Sequence, residues 1–444
     1  MKFPALLLLS CLAIADCPAQ SPDWTRIQPT TSPFARTRHA MAYDSDRKVT
    51  VLFGGRDITV KSHGDTWEYD GKTWTEIKPS LSPSARTDHH MIYDSVRKLT
   101  VLYGGVGMRD TWTWDGTVWT KIKIPAANKP SARNRFAMAF DQSRGRIVLF
   151  GGYDTTKGLV DDTWEFDGTI WHKMTSLITT PPGRTNHAMA YDSVRKSVVL
   201  FSGVAAARLS DTWEWNGVFW RQVTTASAPS ARRCVGCLTF DAARRRIVLF
   251  GGNSGVSLDD TWEYDGKDWT QITTSQAPRG REQHRMVFDS ARGRVVLFGG
   301  SQDGDETWEY WGGSSCSMTA DVPTVSITTG GAQKLTLDAG PAHANRPYWI
   351  FGSITGTSPG ISLNGIKIPL NIDVYTQLAM ENVMANPPFN NFRSVLDANG
   401  GATAQFVVPA NVVKAGFTLY HAYIVFDAAG TFHCASNAVS VTLQ

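Results

Sequence analysis

Asp65-Thr66-Trp67-Glu68-Tyr69-Asp70-Gly71-Lys72-Thr73-Trp74 recurs, with close variants, at Asp110–Trp119, Asp162–Trp171, Asp211–Trp220 and Asp260–Trp269. Asp-Gly or Asn-Gly inside an apolar–polar alternation is a strong hairpin signal, because the turn needs residues that tolerate positive φ. A two-residue turn centred on Asp70-Gly71 predicts that Trp67 faces Trp74 across the strands. The same spacing predicts Trp pairs in the other four copies, each worth about 0.5–1.5 kcal/mol beyond burial. Trp24 and Trp308, outside the five hairpins, break the count. Glu306-Thr307-Trp308-Glu309-Tyr310 begins a sixth hairpin that Gly312-Gly313 cuts short, and Asp23-Trp24-Thr25-Arg26-Ile27 reads as a second strand with no first. One orphan at each end of an array predicts a ring whose last sheet is completed by the opposite terminus.

Each repeat follows one grammar. Pro-x-x-Arg leads into an alternating strand such as His39-Ala40-Met41-Ala42-Tyr43-Asp44, and a tight polar turn follows. A β-branched run then ends in Gly-Gly (Val49 to Gly55), and a variable loop leads to the Trp hairpin. The doublet recurs at 104–105, 151–152, 251–252 and 299–300, with Ser202-Gly203 the departure. The period of about 50 residues is that of propeller blades with four strands, whose second strand is buried on both faces by neighbouring units.

The Gly-Gly doublet, the aromatic strand after it and the spaced Trp resemble the kelch motif over residues 22–313. The resemblance implies a six-bladed kelch-like β-propeller, and with the short strands that follow it the expected fold is all-β: a six-bladed kelch-like β-propeller followed by a β-sandwich domain. It implies little about activity, since such propellers include protein-binding modules, the catalytic domain of galactose oxidase and a sialic-acid mutarotase.

Composition agrees with an ordinary globular chain: 42% hydrophobic, 19% charged, net charge +4. No Lys/Arg run interleaved with aromatics suggests nucleic acid as a partner. Met1-Lys2 followed by the apolar run from Phe3 to Ala15 reads as a signal peptide within residues 1–19, cleaved after Ala15 or Ala19. No later run is long enough for a transmembrane helix. The expected location is secreted, periplasmic or at the cell surface.

In a four-stranded meander the start of the first strand, the end of the second and the start of the third share one end. That end should collect Arg36, Arg86, Arg133, Arg184, Arg233 and Arg281, one per blade, together with the variable loops; Arg232, beside Arg233, is equally placed. An Arg-ringed mouth is a candidate site for an anionic ligand. The same end also holds Asp65, Asp110, Asp162, Asp211, Asp260 and Glu306. First and third strands lie about 9.6 Å apart, a gap an Arg can bridge, so structural pairing competes with ligand binding. His39, His89, His187 and His284, further candidate ligand-binding residues of that mouth, share one repeat position with Phe136 and Gly236, which fits packing better than metal ligation. No metal site or cofactor is expected. At the opposite end Asp44/Arg47, Asp94/Arg97, Asp192/Arg195 and Asp289/Arg292 should build tight turns.

Cys234-Val235-Gly236-Cys237 interrupts the fifth inner strand and is expected to close as a local disulfide, since no thioredoxin-like unit surrounds it. Residues 316–444 lack the Trp hairpin and carry short strands, among them Lys334–Leu337, Tyr348–Phe351, Ala404–Val408, Thr418–Tyr423 and Val439–Leu443, as in a sandwich. Cys316 and Cys434 bracket this module and are expected to form a disulfide worth up to about 4–5 kcal/mol on the chain-entropy model. Gly352 to Gly360 and Leu396 to Gly400 are similar to C-terminal modules of secreted bacterial proteins. The functional expectation is an exported binding protein that uses the loop-bearing face for a protein or carbohydrate ligand, anions included. The alternative is a carbohydrate-active enzyme, such as a sugar-acid mutarotase or epimerase, at the same mouth. The sequence favours binding over catalysis.

Overall fold

In the computed structural model, residues 22–312 are described except 177, 302 and 303; within 317–443, several short segments are left out, the longest being 371–388. The expected signal peptide lies outside the described residues, as does Cys316 and with it the expected Cys316–Cys434 bond. The chain divides into two compact units, one of them Pro22–Gly312 and the other containing Gly313–Gln444. Among the described residues no helix is long and apolar enough to cross a membrane.

Pro22–Gly312 contains six four-stranded antiparallel sheets, called I to VI here. Sheet I runs Ala40–Asp44, Val49–Phe53, Thr66–Tyr69 and Trp74–Ile77 from inside to outside. The inner strands of sheets II to VI are His90–Asp94, Ala137–Asp141, Ala188–Asp192, Leu238–Asp241 and Arg285–Asp289. Each inner strand contacts the next, and that of sheet VI contacts that of sheet I, so the sheets form a closed cycle of the β-propeller kind. The outer strand of sheet VI is Asp23–Ile27, paired antiparallel with Thr307–Trp311 so that Trp24 faces Tyr310 and Arg26 faces Trp308. The two orphan tryptophans thus meet in one sheet.

The hairpin register differs from the sequence expectation. Tyr69, not Trp67, is the partner of Trp74, and Trp67 faces Glu76. The same shift holds for Trp114/Trp119, Phe166/Trp171, Trp215/Trp220 and Tyr264/Trp269. The connection has four residues, not two: Asp70 N–H donates to Thr73 C=O, and the Asp70 carboxylate accepts from the N–H groups of Lys72 and Thr73. Only Gly71 takes positive φ, at 95°. With Asp70 acting as a side-chain cap, the loop needs one left-handed residue, and the pairing moves by two positions.

The motif letters then acquire separate tasks. Asp65 accepts both terminal nitrogens of Arg36 at 2.8 Å and the Trp67 indole N–H at 2.7 Å. Thr66 accepts the indole N–H of Trp119 from the next sheet at 3.0 Å. The same stitch joins Trp171 to Thr111, Trp220 to Thr163, Trp269 to Thr212, Trp24 to Thr261 and Trp74 to Thr307, so it passes once around the cycle. Glu68 accepts from Arg47 at 2.7 Å and from the indole of Trp114 at 3.1 Å. Burying an aromatic N–H is costly unless it is bonded, so the Thr is as necessary as the Trp it serves. The expected Asp-x-x-Arg turns form, with Asp44 accepting from the backbone and side chain of Arg47.

The second unit has one sheet containing Ser317–Ala320, Gly331–Asp338, Gly401–Val408 and Phe389–Asn390, and another built on Val439–Leu443, Thr418–Phe426 and Pro347–Ser353. Leu335, Leu337 and Phe406 from the first share a single core with Ile350, Tyr423 and Val441 from the second. Gly331–Asp338 alternates exposed and buried residues, as a strand with one wet face must.

Candidate functional site: the axial channel and its two ends

The predicted arginines lie inside the sheets. Arg36, Arg86, Arg133, Arg184 and Arg281 are at most 2% exposed and are paired with Asp65, Asp110, Asp162, Asp211 and Glu306. Each also donates to the carbonyl of the first residue of its Gly-Gly or Ser-Gly doublet. In sheet V that place is taken by Arg232, which binds Asp260 at 2.7 and 2.8 Å; Arg233 lies one residue further, its backbone bridged to Asn253. The correction from Arg233 to Arg232 follows from strand alternation, since one residue of slip turns the side chain to the other face. Burial pushes the Asp110 carboxyl up, but Arg86 and the Trp112 indole overcome this and hold it down at about 2. Asp65, Asp162 and Asp211 are likewise held below the usual carboxylate range by their arginines against the effect of burial.

The histidines are equally enclosed. His39, His89, His187 and His284 are at most 1% exposed and stand edge-on to Phe298, Phe53, Phe150 and Phe250 of the preceding sheet. His89 Nε2 lies 3.1 Å from the Phe53 carbonyl. Burial, then the neighbouring ring arginine, brings His187 and His284 down to about 3; burial also drives His39 and His89 well below the ordinary range. All four are neutral wedges between sheets.

What faces the axis is a different set. Arg38, Asp88, Arg135, Asn186 and Gln283, each the residue before the His/Phe position, adopt φ between 55° and 63°. Their backbones hydrogen-bond in succession around the axis: Arg38 N–H to Gln283, Asp88 to Arg38, Arg135 to Asp88, Asn186 to Arg135 and Cys234 to Asn186. Asp88 lies 3.1 Å from Arg38 and 3.8 Å from Arg135, and Arg38 Nε donates to Gln283 Oε1 at 3.0 Å. These groups form a polar collar at the loop-bearing end. The variable loops outside it carry exposed apolar tips: Ile58, Val60, Val106, Tyr153, Leu159 and Val256.

Beyond the collar runs a channel of about 280 Å³ lined by the inner strands of all six sheets. Met41, Met91, Met138, Met189, Leu238 and Met286 form one tier of its wall. Tyr43, Tyr93, Phe140, Tyr191, Phe240 and Phe288 form the next, towards the tight-turn end. At the collar end the wall holds Arg285, 3% exposed, and His90. Arg285 occupies the place of Ala40, His90, Ala137 and Ala188 in other repeats, and aligning that column would have singled it out in the sequence. The fifth repeat supplies the Cys234–Cys237 disulfide at this level, as expected.

Residues 109–300 match the family model of the KLHDC2/KLHL20/DRC7 Kelch-repeats domain. No curated protein matches the sequence. Among solved structures, the extracellular domain of a hybrid two-component system, BT4673, from B. thetaiotaomicron is similar at 9% identity with a TM-score of 0.38. That match covers 96% of this chain and 60% of the other, so the chain spans less than two thirds of that protein.

Proposed function

This chain being a kelch-repeat protein, we propose that it is a binding protein. It is exported after removal of a leader within residues 1–19, and it engages a protein partner through the face bearing the variable loops. We read residues 22–313 as a six-bladed propeller and residues 316–444 as a β-sandwich module. Kelch repeats generally mediate protein–protein interaction. The observation that carries the reading to this face is the set of exposed apolar loop tips outside the polar collar, with Ile58 96% and Val256 68% exposed. Apolar anchors beside satisfied polar groups are the make-up of a protein interface. The six carboxylate-paired ring arginines, by contrast, are occupied by the scaffold.

A pair of variants tests the face. Ile58→Asp/Val60→Asp/Val256→Asp charges the loop end, and Val96→Asp/Val194→Asp charges the tight-turn end, all at exposed positions. A partner captured from the extracellular fraction by the unsubstituted protein should be lost with the first variant and kept with the second. Retention by the loop variant overturns the assignment.

A further inference from the structure

Arg285 is the charged side chain of the channel wall that packing does not explain. Its guanidinium makes only long hydrogen bonds, 3.4 Å to the His284 carbonyl and 3.5 Å to the His89 carbonyl, and its Nε–H has no partner among the described residues. No carboxylate among the described residues comes within ion-pair distance. Among the described residues, Asp88 is the acid that acts on it, and it is already shared by Arg38 and Arg135. The titratable groups around Arg285, His39, His89, His90 and His284, are held neutral by burial. A buried cation without a mate is costly, and burial accordingly brings Arg285 down to about 10.

The surroundings are shaped to keep it there. Gly236, at φ 71° inside the disulfide-closed loop, gives up its Cβ space to Arg285: an added Cβ would lie 2.4 Å from Arg285 Cδ. Sheet V thereby departs from the inner-strand entry of the other repeats at the point where the guanidinium lies. Among the described residues no collar or variable-loop residue lines the channel, whereas Gln142, Ser193 and Ala242 of the tight-turn end do. The lining therefore runs from Arg285 and His90 at one end, past the methionines and the aromatic rings, to the residues of the tight-turn end. The channel's volume is that of roughly nine waters.

We propose that the axial channel binds a small carboxylate with an apolar body, which enters from the tight-turn end and places its carboxylate against the Arg285 guanidinium. Methionines and aromatic rings take the apolar part, and the two oxygens take guanidinium N–H groups in the bidentate geometry such pairs favour. This site lies inside the channel and stands independently of the partner-binding face.

The test uses hexanoate as probe, with hexanol and chloride as controls, on the full protein. Calorimetry should show one hexanoate bound per chain, with no binding of hexanol of similar strength, and the ¹⁵Nε resonance of Arg285 should move during the titration. Arg285→Met should weaken hexanoate at least tenfold. Ser193→Trp, at an exposed position on the channel entrance, should weaken it without touching the guanidinium, which keeps the test independent of how Arg285→Met folds. Equal affinity in these variants, equal binding of hexanol, or the same resonance shift with chloride alone overturns the proposal.

Discussion

His187 shows how one buried side chain sets a response of the whole domain to pH. Its folded pKa of about 3 lies below the unfolded value of about 6.5, so between these limits the unfolded chain binds the extra proton. Stability therefore rises with pH across that window and is lost as pH falls from 6.5 towards 3, at about 1.4 kcal/mol per pH unit for each such histidine. Phe136 already fills the same position in sheet III. His187→Phe should thus fold normally, and its stability between pH 6.5 and 4.5 should fall less steeply by about that slope; urea titrations at several pH values measure it. Arg285 predicts the opposite kind of change. Removing an unmated buried cation should stabilise the unliganded protein, so Arg285→Met should raise stability by about 1–3 kcal/mol, read as a higher Tm.

At the scale of the element, the hairpin works as a connector between sheets more than as a pair of strands. Thr66→Val keeps the shape but leaves the buried Trp119 indole N–H without its acceptor, a loss of about 1–3 kcal/mol expected in chemical denaturation. Asp162→Ala goes further: it strands the Arg133 guanidinium, 1% exposed, and should cost about 3–5 kcal/mol. The hairpin was legible in the sequence as a turn between alternating strands, but its register was not. Asp-Gly is compatible with a two-residue or a four-residue connection. Only the Asp70 side chain turning back onto the Lys72 and Thr73 N–H groups selects the longer one and gives Tyr69, rather than Trp67, the cross-strand place.

For the whole propeller, closure is the decisive contact. Trp24 is 1% exposed, packs against Phe250 and Tyr310, and gives its indole N–H to Thr261 of sheet V. Trp24→Ala should cost about 3–5 kcal/mol as a large cavity and should leave sheet VI with a poorly held outer strand. A protease-sensitive site near residues 23–27, with the other five sheets still protected, is the expected outcome by limited proteolysis and mass spectrometry. Uniform loss of protection would instead mean that the cycle opens everywhere at once.

The sequence alone determined the repeat, the four-strand grammar, the joining of the two orphan tryptophans and the local Cys234–Cys237 bond. All of these are written in spacing and in residue types with one physical use. Tertiary structure decided which charges are available. The repeat alignment sets Arg285 apart from Arg36 but not their surroundings: Arg36 lies between a Gly carbonyl and Asp65, while Arg285 lies over Gly236 with no carboxylate at ion-pair distance among the described residues. That difference comes from which residues of separate sheets meet around the axis. Such meetings occur between residues some 50 to 200 positions apart, and no local pattern encodes them.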